Sequence, residues 1–205
     1  MVVLLAIIGG LLVVADAAAR RITQQKLADR LAAEVPDARQ TSAAIHSFPF
    51  LGRLLGSGHV PQVDAAVSGV SVGRVRFASV AVVLHGVTLD RNQLLHDRTV
   101  QLVGIERGEA RAEVDQAALS DALGVELTLD AGTASVTVAG LRVGVRLAVT
   151  DGRLTIAGVG ITVPGLDLVA PLLPCLPDAA LERGRVVLSC GFTEVPKELR
   201  KPVRL

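Results

Sequence analysis

The stretch Leu141–Val149, with the sequence LRVGVRLAV, decides the fold class of this 205-residue chain. Leucine and valine occupy every second position, and arginine, glycine or alanine fills the positions between them. A period of two indicates a β-strand with one face buried and the other face in water. The dipeptide Asp151-Gly152 separates this strand from the next apolar run and is typical of a tight hairpin turn. The sequence therefore predicts neighbouring antiparallel strands.

Further segments are rich in β-branched residues and interrupted by glycine, which predicts a body made mostly of strands. These segments are Val63–Val75, Phe77–Leu89, Val100–Val114, Val125–Val138, Leu154–Val163 and Arg185–Cys190. Within the second of them, Ser79–Leu84 (SVAVVL) is apolar at nearly every position. We therefore expect this stretch to be covered on both faces.

Helical patterns precede and interrupt the strands. From Ala18 to Val35, apolar residues recur at a spacing of about four until Pro36 ends the pattern. We expect Asp115 to cap a second helix and Gly124 to end it. The shorter helices that could cover the sheet are Phe48–Leu55, Gln116–Leu123 and Leu166–Leu173.

The first nineteen residues carry a single charge, Asp16. Val2–Ala15 is apolar or glycine throughout, which is the length of a signal-peptide core and shorter than the roughly 20 residues of a membrane-spanning helix. Arginines follow this run at 20 and 21, but no basic residue precedes it. We predict that residues 1–19 are a signal peptide or membrane anchor, needed for delivery and not for folding. The alternative is that Val2–Val14 is a buried core strand.

The remaining residues, 20–205, are expected to form a single domain at an extracytoplasmic location, either periplasmic or membrane-associated. Two cysteines, Cys175 and Cys190, lack the companions of a zinc site. In an oxidising compartment we expect them to form a disulfide, and the alternative is a pair of buried free thiols.

Composition and charge exclude several functions. The chain has 21 Lys and Arg against 20 Asp and Glu, and its net charge of +1 provides no field to hold nucleic acid. Four phenylalanines, without tryptophan or tyrosine, cannot build a stacking platform for bases. No catalytic or phosphate-binding motif is present, and the four histidines are scattered along the chain. We therefore expect no enzymatic activity, no cofactor and no metal site.

An apolar excess without catalytic motifs favours an apolar ligand. We predict an α+β fold in which a long curved antiparallel sheet and its covering helices form an apolar lipid groove, preceded by the apolar segment and the amphipathic helix. Burial of acyl chains there contributes about 0.8 kcal/mol per CH2 group. The predicted lipid contacts are Phe48, Phe50, Leu51, Leu54, Leu55 and Phe77, and the predicted headgroup donors are Arg53, Arg74 and Arg76.

Two interpretations of these residues remain open. Phe48–Leu55 is either the rim of the groove, where apolar groups touch lipid and Arg53 meets a phosphate, or a core plug beneath the sheet. The three arginines are either headgroup donors or ordinary solvated side chains.

The order of motifs supports the lipid hypothesis. An apolar segment and an Ala/Arg/Leu helix precede FPFL at 48–51 and LLGSG at 54–58, which are followed by VDA at 63–65 and a strand from Val70. This order resembles the LmeA-like phospholipid-binding family of high-GC Gram-positive bacteria. The resemblance implies an extracytoplasmic protein without catalytic residues that binds phospholipids, including phosphatidylinositol types, and supports lipoglycan assembly in the cell envelope.

The expected partners are therefore phospholipid and the membrane, and the protein would bind or carry lipid for envelope assembly. The alternative function is a structural β-sandwich interaction domain of the envelope that holds no lipid.

Overall fold

The computed structural model describes residues 2–97, 99–150, 153–158, 161–167, 173–196, 200 and 203–204. The helices in these residues are α1 (Val2–Glu34), α2 (Phe50–Gly56), α3 (Arg91–His96) and α4 (Gln116–Leu123). The strands are β1 (Gln40–His46), β2 (His59–Val72), β3 (Val75–Leu89), β4 (Thr99–Val100), β5 (Leu102–Gly104), β6 (Arg107–Asp115), β7 (Glu126–Asp130), β8 (Thr133–Val138), β9 (Leu141–Thr150), β10 (Arg153–Gly158), β11 (Ile161–Asp167), β12 (Asp178–Glu182), β13 (Arg185–Phe192) and β14 (Val203–Arg204).

The strands form two large antiparallel sheets, which confirms the predicted α+β class. The first sheet has the order β1-β2-β3-β6-β13-β12, with β5 paired to the end of β3. The second sheet has the order β11-β10-β9-β8-β7, and β4 pairs separately with β14. The predicted β9–β10 hairpin is confirmed because Thr150 pairs with Arg153, although its turn residues 151 and 152 lie outside the described part of the chain.

The main core lies where the two sheets and α4 meet. Leu188 of the first sheet, Val136 and Leu154 of the second sheet and Leu119 of α4 are at most 1% exposed and belong to one cluster. Burial of each such side chain contributes about 1.5–3 kcal/mol. This packing fixes the second sheet over one end of the long strands.

A second, smaller core lies at the other end of β2 and β3. It consists of Ile45, Phe50, Val60 and Val87, against which Ala19 of α1 packs. Strand β3 spans 15 residues, about 50 Å of extended chain, so it reaches both cores.

The face of β3 that is buried changes within the part of the strand that packs in the main core. Phe77 and Val80 are three residues apart and both buried, although strict alternation would place them on opposite faces. On the paired strand β2, Gly69 lies opposite the stretch between them and has a φ of +70°. Glycine adopts this left-handed conformation without strain. The alternation of buried and exposed side chains along β2 and β3 therefore shifts by one residue at this point.

Several predicted elements differ in the structure. The first helix begins at Val2 and continues to Glu34, so the alternative of a core strand at Val2–Val14 is wrong. Three predicted strands are each divided: 100–114 into β4, β5 and β6, 125–138 into the β7–β8 hairpin, and 154–163 into β10 and β11. Of Ser79–Leu84, only Val80 is buried and the others are half-buried, so the expected cover on both faces is incomplete.

Of the three predicted short helices, two are confirmed as α2 and α4. Gly124 ends α4 in the left-handed conformation as expected, whereas Asp115 occupies the N-cap position without a side-chain capping bond. The third is wrong at its start, because Leu166 pairs with Leu154 as part of β11. Strand pairing overrides the helical pattern there, and residues 168–172 lie outside the described residues.

The predicted disulfide between Cys175 and Cys190 is confirmed. The Cα atoms of the two residues are 6.0 Å apart, and both side chains pack against the main core. Because Cys190 belongs to β13, the bond ties the segment before β12 to the centre of the first sheet.

We expect loss of this disulfide to lower the free energy of unfolding by about 3 kcal/mol, because the bond closes a loop with a sequence separation of 15 and restricts the unfolded chain. Urea unfolding of the oxidised protein and of a Cys175→Ser/Cys190→Ser variant measures the difference. Equal stability of the two proteins would contradict the prediction.

Candidate functional site

A row of small side chains crosses the inner face of the first sheet. Cross-strand pairing places one residue from each of five strands in this row, which we call the alanine row: Ala43, Ala65, Val82, Ala110 and Cys190. Ala110 is buried, whereas the other four residues are half-buried. The row therefore keeps apolar surface that the two cores do not cover completely.

Larger side chains flank the alanine row on both sides. The neighbouring pairs Val67–Val80 and Val63–Leu84 come from the same two strands. Phe192 closes one end of the second flanking row, where its ring occupies the space that a Cβ on Gly108 would need. On β2 the small Ala65 therefore lies between the larger Val63 and Val67.

Helix α1 lies on the same side of the sheet, along β1. The hydroxyl of Thr41 donates a hydrogen bond to the carbonyl oxygen of Ala28 over 3.2 Å. Thr41 pairs with Val67, so its side chain is on the inner face. Leu27 and Leu31 of α1 are half-buried, whereas Ile22 is 55% exposed. The helix thus borders the alanine row at the β1 edge.

The predicted lipid contacts of the 48–55 segment fall on two sides of α2. Phe50 is 3% exposed and belongs to the smaller core, and Leu51 and Leu54 pack partly against that core. In contrast, Phe48 is 65% and Leu55 is 46% exposed. One side of α2 is therefore a core plug, and the other side presents apolar groups to the surroundings.

The structure does not bring Phe77 to these residues. Phe77 is 1% exposed and lies in the main core, whereas Phe50 lies in the smaller one. The role of both as lipid contacts remains a prediction.

The start of α2 is held by a residue that the sequence analysis did not assign to a site. Asp16 of α1 is 6% exposed. Its carboxylate oxygens accept hydrogen bonds from the backbone N–H groups of Phe50 at 2.9 Å and Leu51 at 2.6 Å. N–H groups in the first turn of a helix have no acceptor within the helix. Pro49, at the N-cap position of α2, provides no side-chain acceptor either. Asp16 therefore caps α2 from another helix.

An open cleft of about 700 Å³ lies at the β2–β3 hairpin, next to α4. Two predicted headgroup donors, Arg74 and Arg76, line it together with Arg39, which follows α1. The Arg39 side chain crosses Gly69, where a Cβ would lie 2.7 Å from its Cγ. Sequence analysis missed Arg39 because only the pairing of β1 with β2 brings it to the hairpin.

The charges of this cleft favour an anion. The carboxylates of Asp115 and Asp121 also line it, so three guanidinium groups oppose two carboxylates. The structure shows no ion pair of Arg39, Arg74 or Arg76 with a described residue. Their charges are therefore not neutralised by a direct contact within this part of the protein.

The third predicted headgroup donor, Arg53, lies far from the cleft. Its carbonyl oxygen accepts a bond from Gly58 directly before β2 begins, whereas the cleft lies where β2 ends. Strand β2 has 14 residues, about 45 Å of extended chain. The structure thus divides the three predicted donors between opposite ends of the long strands.

A second cavity of about 440 Å³ lies on the second sheet, lined in part by Asp130 and Arg142. The Ala131 N–H donates to the Asp130 carboxylate, and with the Arg183 guanidinium it lowers the pKa of Asp130 below its usual range. In the part of the chain that the structure describes, no three metal-ligating side chains come together, and no helix is long and apolar enough to cross a membrane.

We expect Phe50→Ser to lower the free energy of unfolding by about 3–5 kcal/mol, because it removes a buried ring from the smaller core. The matched variant Phe48→Ser changes the same residue type two positions away, where the ring is 65% exposed. It should leave the unfolding midpoint nearly unchanged. Similar midpoints for the two variants would contradict the division of this segment into a buried and an exposed side.

Comparison with known proteins identifies the family. Searches of curated proteins and of solved structures gave no significant match. In contrast, the LmeA-like phospholipid-binding family matches residues 14–188, which include α2, the cleft and every residue of the alanine row except Cys190. The chain therefore belongs to the LmeA-like phospholipid-binding family.

Proposed function

We propose that the protein binds and carries phospholipid outside the cytoplasm, where it supports assembly of envelope lipids or lipoglycans without catalysing a reaction. Membership of a phospholipid-binding family supports lipid binding itself. The observation that carries the proposal is the alanine row, an apolar strip in which four of the five residues are only half-buried.

In our proposal the acyl chains run parallel to β2 and β3, towards the hairpin cleft, and cross this strip. Its floor is aliphatic, and the flanking Val67 and Leu84 are themselves only half-buried. Each CH2 group removed from water there contributes about 0.8 kcal/mol, so no specific polar contact is needed to hold the chains.

The headgroup lies at the β2–β3 hairpin cleft. Guanidinium groups form two-pronged hydrogen bonds with phosphate oxygens, and Arg39, Arg74 and Arg76 line one cavity. Because these arginines outnumber the two aspartates, an anionic headgroup such as that of phosphatidylinositol is favoured over a neutral one.

The disulfide supports a location outside the cytoplasm, because disulfides persist in oxidising compartments and are rare in the cytosol. Phospholipid bound there would serve the envelope.

Lipid extraction tests the proposed function. The full chain, purified in a detergent of known composition, is extracted with organic solvent, and the extract is analysed by mass spectrometry. We expect phospholipid at about one molecule per chain, with anionic classes enriched relative to the host membrane. Absence of phospholipid in several expression hosts would contradict the proposal and favour the envelope interaction domain without cargo.

The headgroup assignment is tested by replacing Arg39, Arg74 and Arg76 with glutamine. Affinity for a water-soluble, short-chain phosphatidylinositol should fall about tenfold or more, since one charge-assisted hydrogen bond contributes at least about 1.5 kcal/mol. Binding is measured by calorimetry below the micelle concentration, so that membrane surfaces play no part.

Arg53→Gln and Arg146→Gln are the matched controls, because both change an exposed arginine away from the cleft. Their affinities should equal that of the unchanged protein. An equal loss in Arg53→Gln, or no loss in the triple variant, would show that the headgroup does not bind at this cleft.

A further inference from the structure

The contact between Asp16 and α2 is relevant to whether the N-terminal segment is cleaved or retained. Asp16 is the single charge in the first nineteen residues, and it is buried. Burial of a carboxylate is costly unless it is hydrogen-bonded, and here two backbone N–H groups of α2 bind it. The segment up to Asp16 is thus joined to the folded body by a specific polar contact.

Removal of the segment as a signal peptide would break this contact. The small-residue positions that fit signal-peptide cleavage end at Ala17 and Ala19, both after Asp16. Cleavage at either position would leave the N–H groups of Phe50 and Leu51 without their acceptor. Cleavage after Ala19 would also remove the alanine of α1 that packs against the smaller core.

The surface next to this contact combines apolar groups with positive charge. Phe48 and Leu55 of the α2 region and Val14 of α1 are 65%, 46% and 67% exposed. Arg20 and Arg21 follow Asp16 by about one turn of α1, and Arg53 lies two residues after Leu51, the residue of α2 that Asp16 binds. In residues 14–28 and 47–59, Asp16 is the one acidic residue, and its oxygens are already engaged by α2.

We propose that the segment up to Asp16 is retained in the working protein and that the α2 end of the molecule docks on an anionic phospholipid membrane. The observation that favours lipid over a protein partner is the composition of α1 before Asp16. Residues 2–14 are apolar or glycine at every position, and a helix apolar on all sides is suited to lipid rather than to a one-sided protein contact.

In this arrangement Asp16 is a positioning residue. The apolar part of α1 enters the lipid, Asp16 fixes α2 beside it, and the basic side chains meet lipid phosphates. The proposal does not depend on a bound lipid cargo, because the docking surface lies at the opposite end of β2 from the cleft.

Retention is tested by intact-mass analysis of the full chain, carrying a C-terminal tag and isolated from the envelope of a high-GC Gram-positive host. We expect an N-terminus at or before Asp16. An N-terminus at Ala17 or later would overturn the proposal.

Docking is tested with variants that each add one free cysteine, which is labelled with an environment-sensitive fluorophore under non-reducing conditions so that the Cys175–Cys190 disulfide stays intact. The full chain is mixed with vesicles of phosphatidylcholine and phosphatidylglycerol. A label at Leu55→Cys should show a blue shift, and lipids brominated in their acyl chains should quench it. The matched label at Leu141→Cys, on an exposed leucine of β9, should show neither effect.

Equal responses of the two labels, or a response at position 55 that is the same on pure phosphatidylcholine vesicles, would overturn docking by α2. Lipid extraction of the same samples measures the bound phospholipid independently of docking. A failure of docking can therefore be distinguished from a failure of the proposed function.

The positioning role has its own measurement. In Asp16→Ala the amides of Phe50 and Leu51 should exchange hydrogen faster than in the unchanged chain, while those of β6 keep their protection. Asp16→Asn retains one carbonyl acceptor and should give an intermediate rate. Unchanged exchange at Phe50 and Leu51 in Asp16→Ala would overturn this role.

Discussion

The antiparallel pairing of β2 with β3 is the constraint on which the rest of the structure depends. Its register continues from His59 opposite Thr88 to Val72 opposite Val75. A ladder of this length is longer than either core, so one end is covered by the second sheet and α4 and the other end by α1 and α2. The alanine row crosses this ladder near its middle, where Ala65 pairs with Val82.

The same ladder separates the charged features of the molecule. The cleft of Arg39, Arg74 and Arg76 lies at the hairpin end, whereas Arg53 and the Asp16 contact lie at the end where β2 begins. A headgroup bound in the cleft would lie at the opposite end of β2 from the surface that we propose to face the membrane.

Local patterns predicted the elements that depend on neighbouring residues. Alternation in Leu141–Val149 predicted a strand, and Gly124 predicted the end of α4, because backbone conformation there is set by period and by turn chemistry. The helical expectation for Leu166–Leu173 was wrong because Leu166 pairs with Leu154, and a hydrogen-bonding partner outweighs a weak local preference. Phe48 and Phe50 show the same limit, since two similar rings within three residues differ in exposure by a factor of about twenty.

By itself, the sequence determined the α+β class, the resemblance to a lipid-binding family and the pair of cysteines that forms the disulfide, because these depend on composition, period and residue order. Only the tertiary structure decided which residues share a site. It brought Arg39 to Arg74 and Arg76, kept Arg53 apart from them, and placed the lone charge of the apolar segment, Asp16, on the first turn of α2. These contacts join residues that are distant in sequence. Their distances are set by strand register and helix packing, and neither produces a periodic pattern in the sequence.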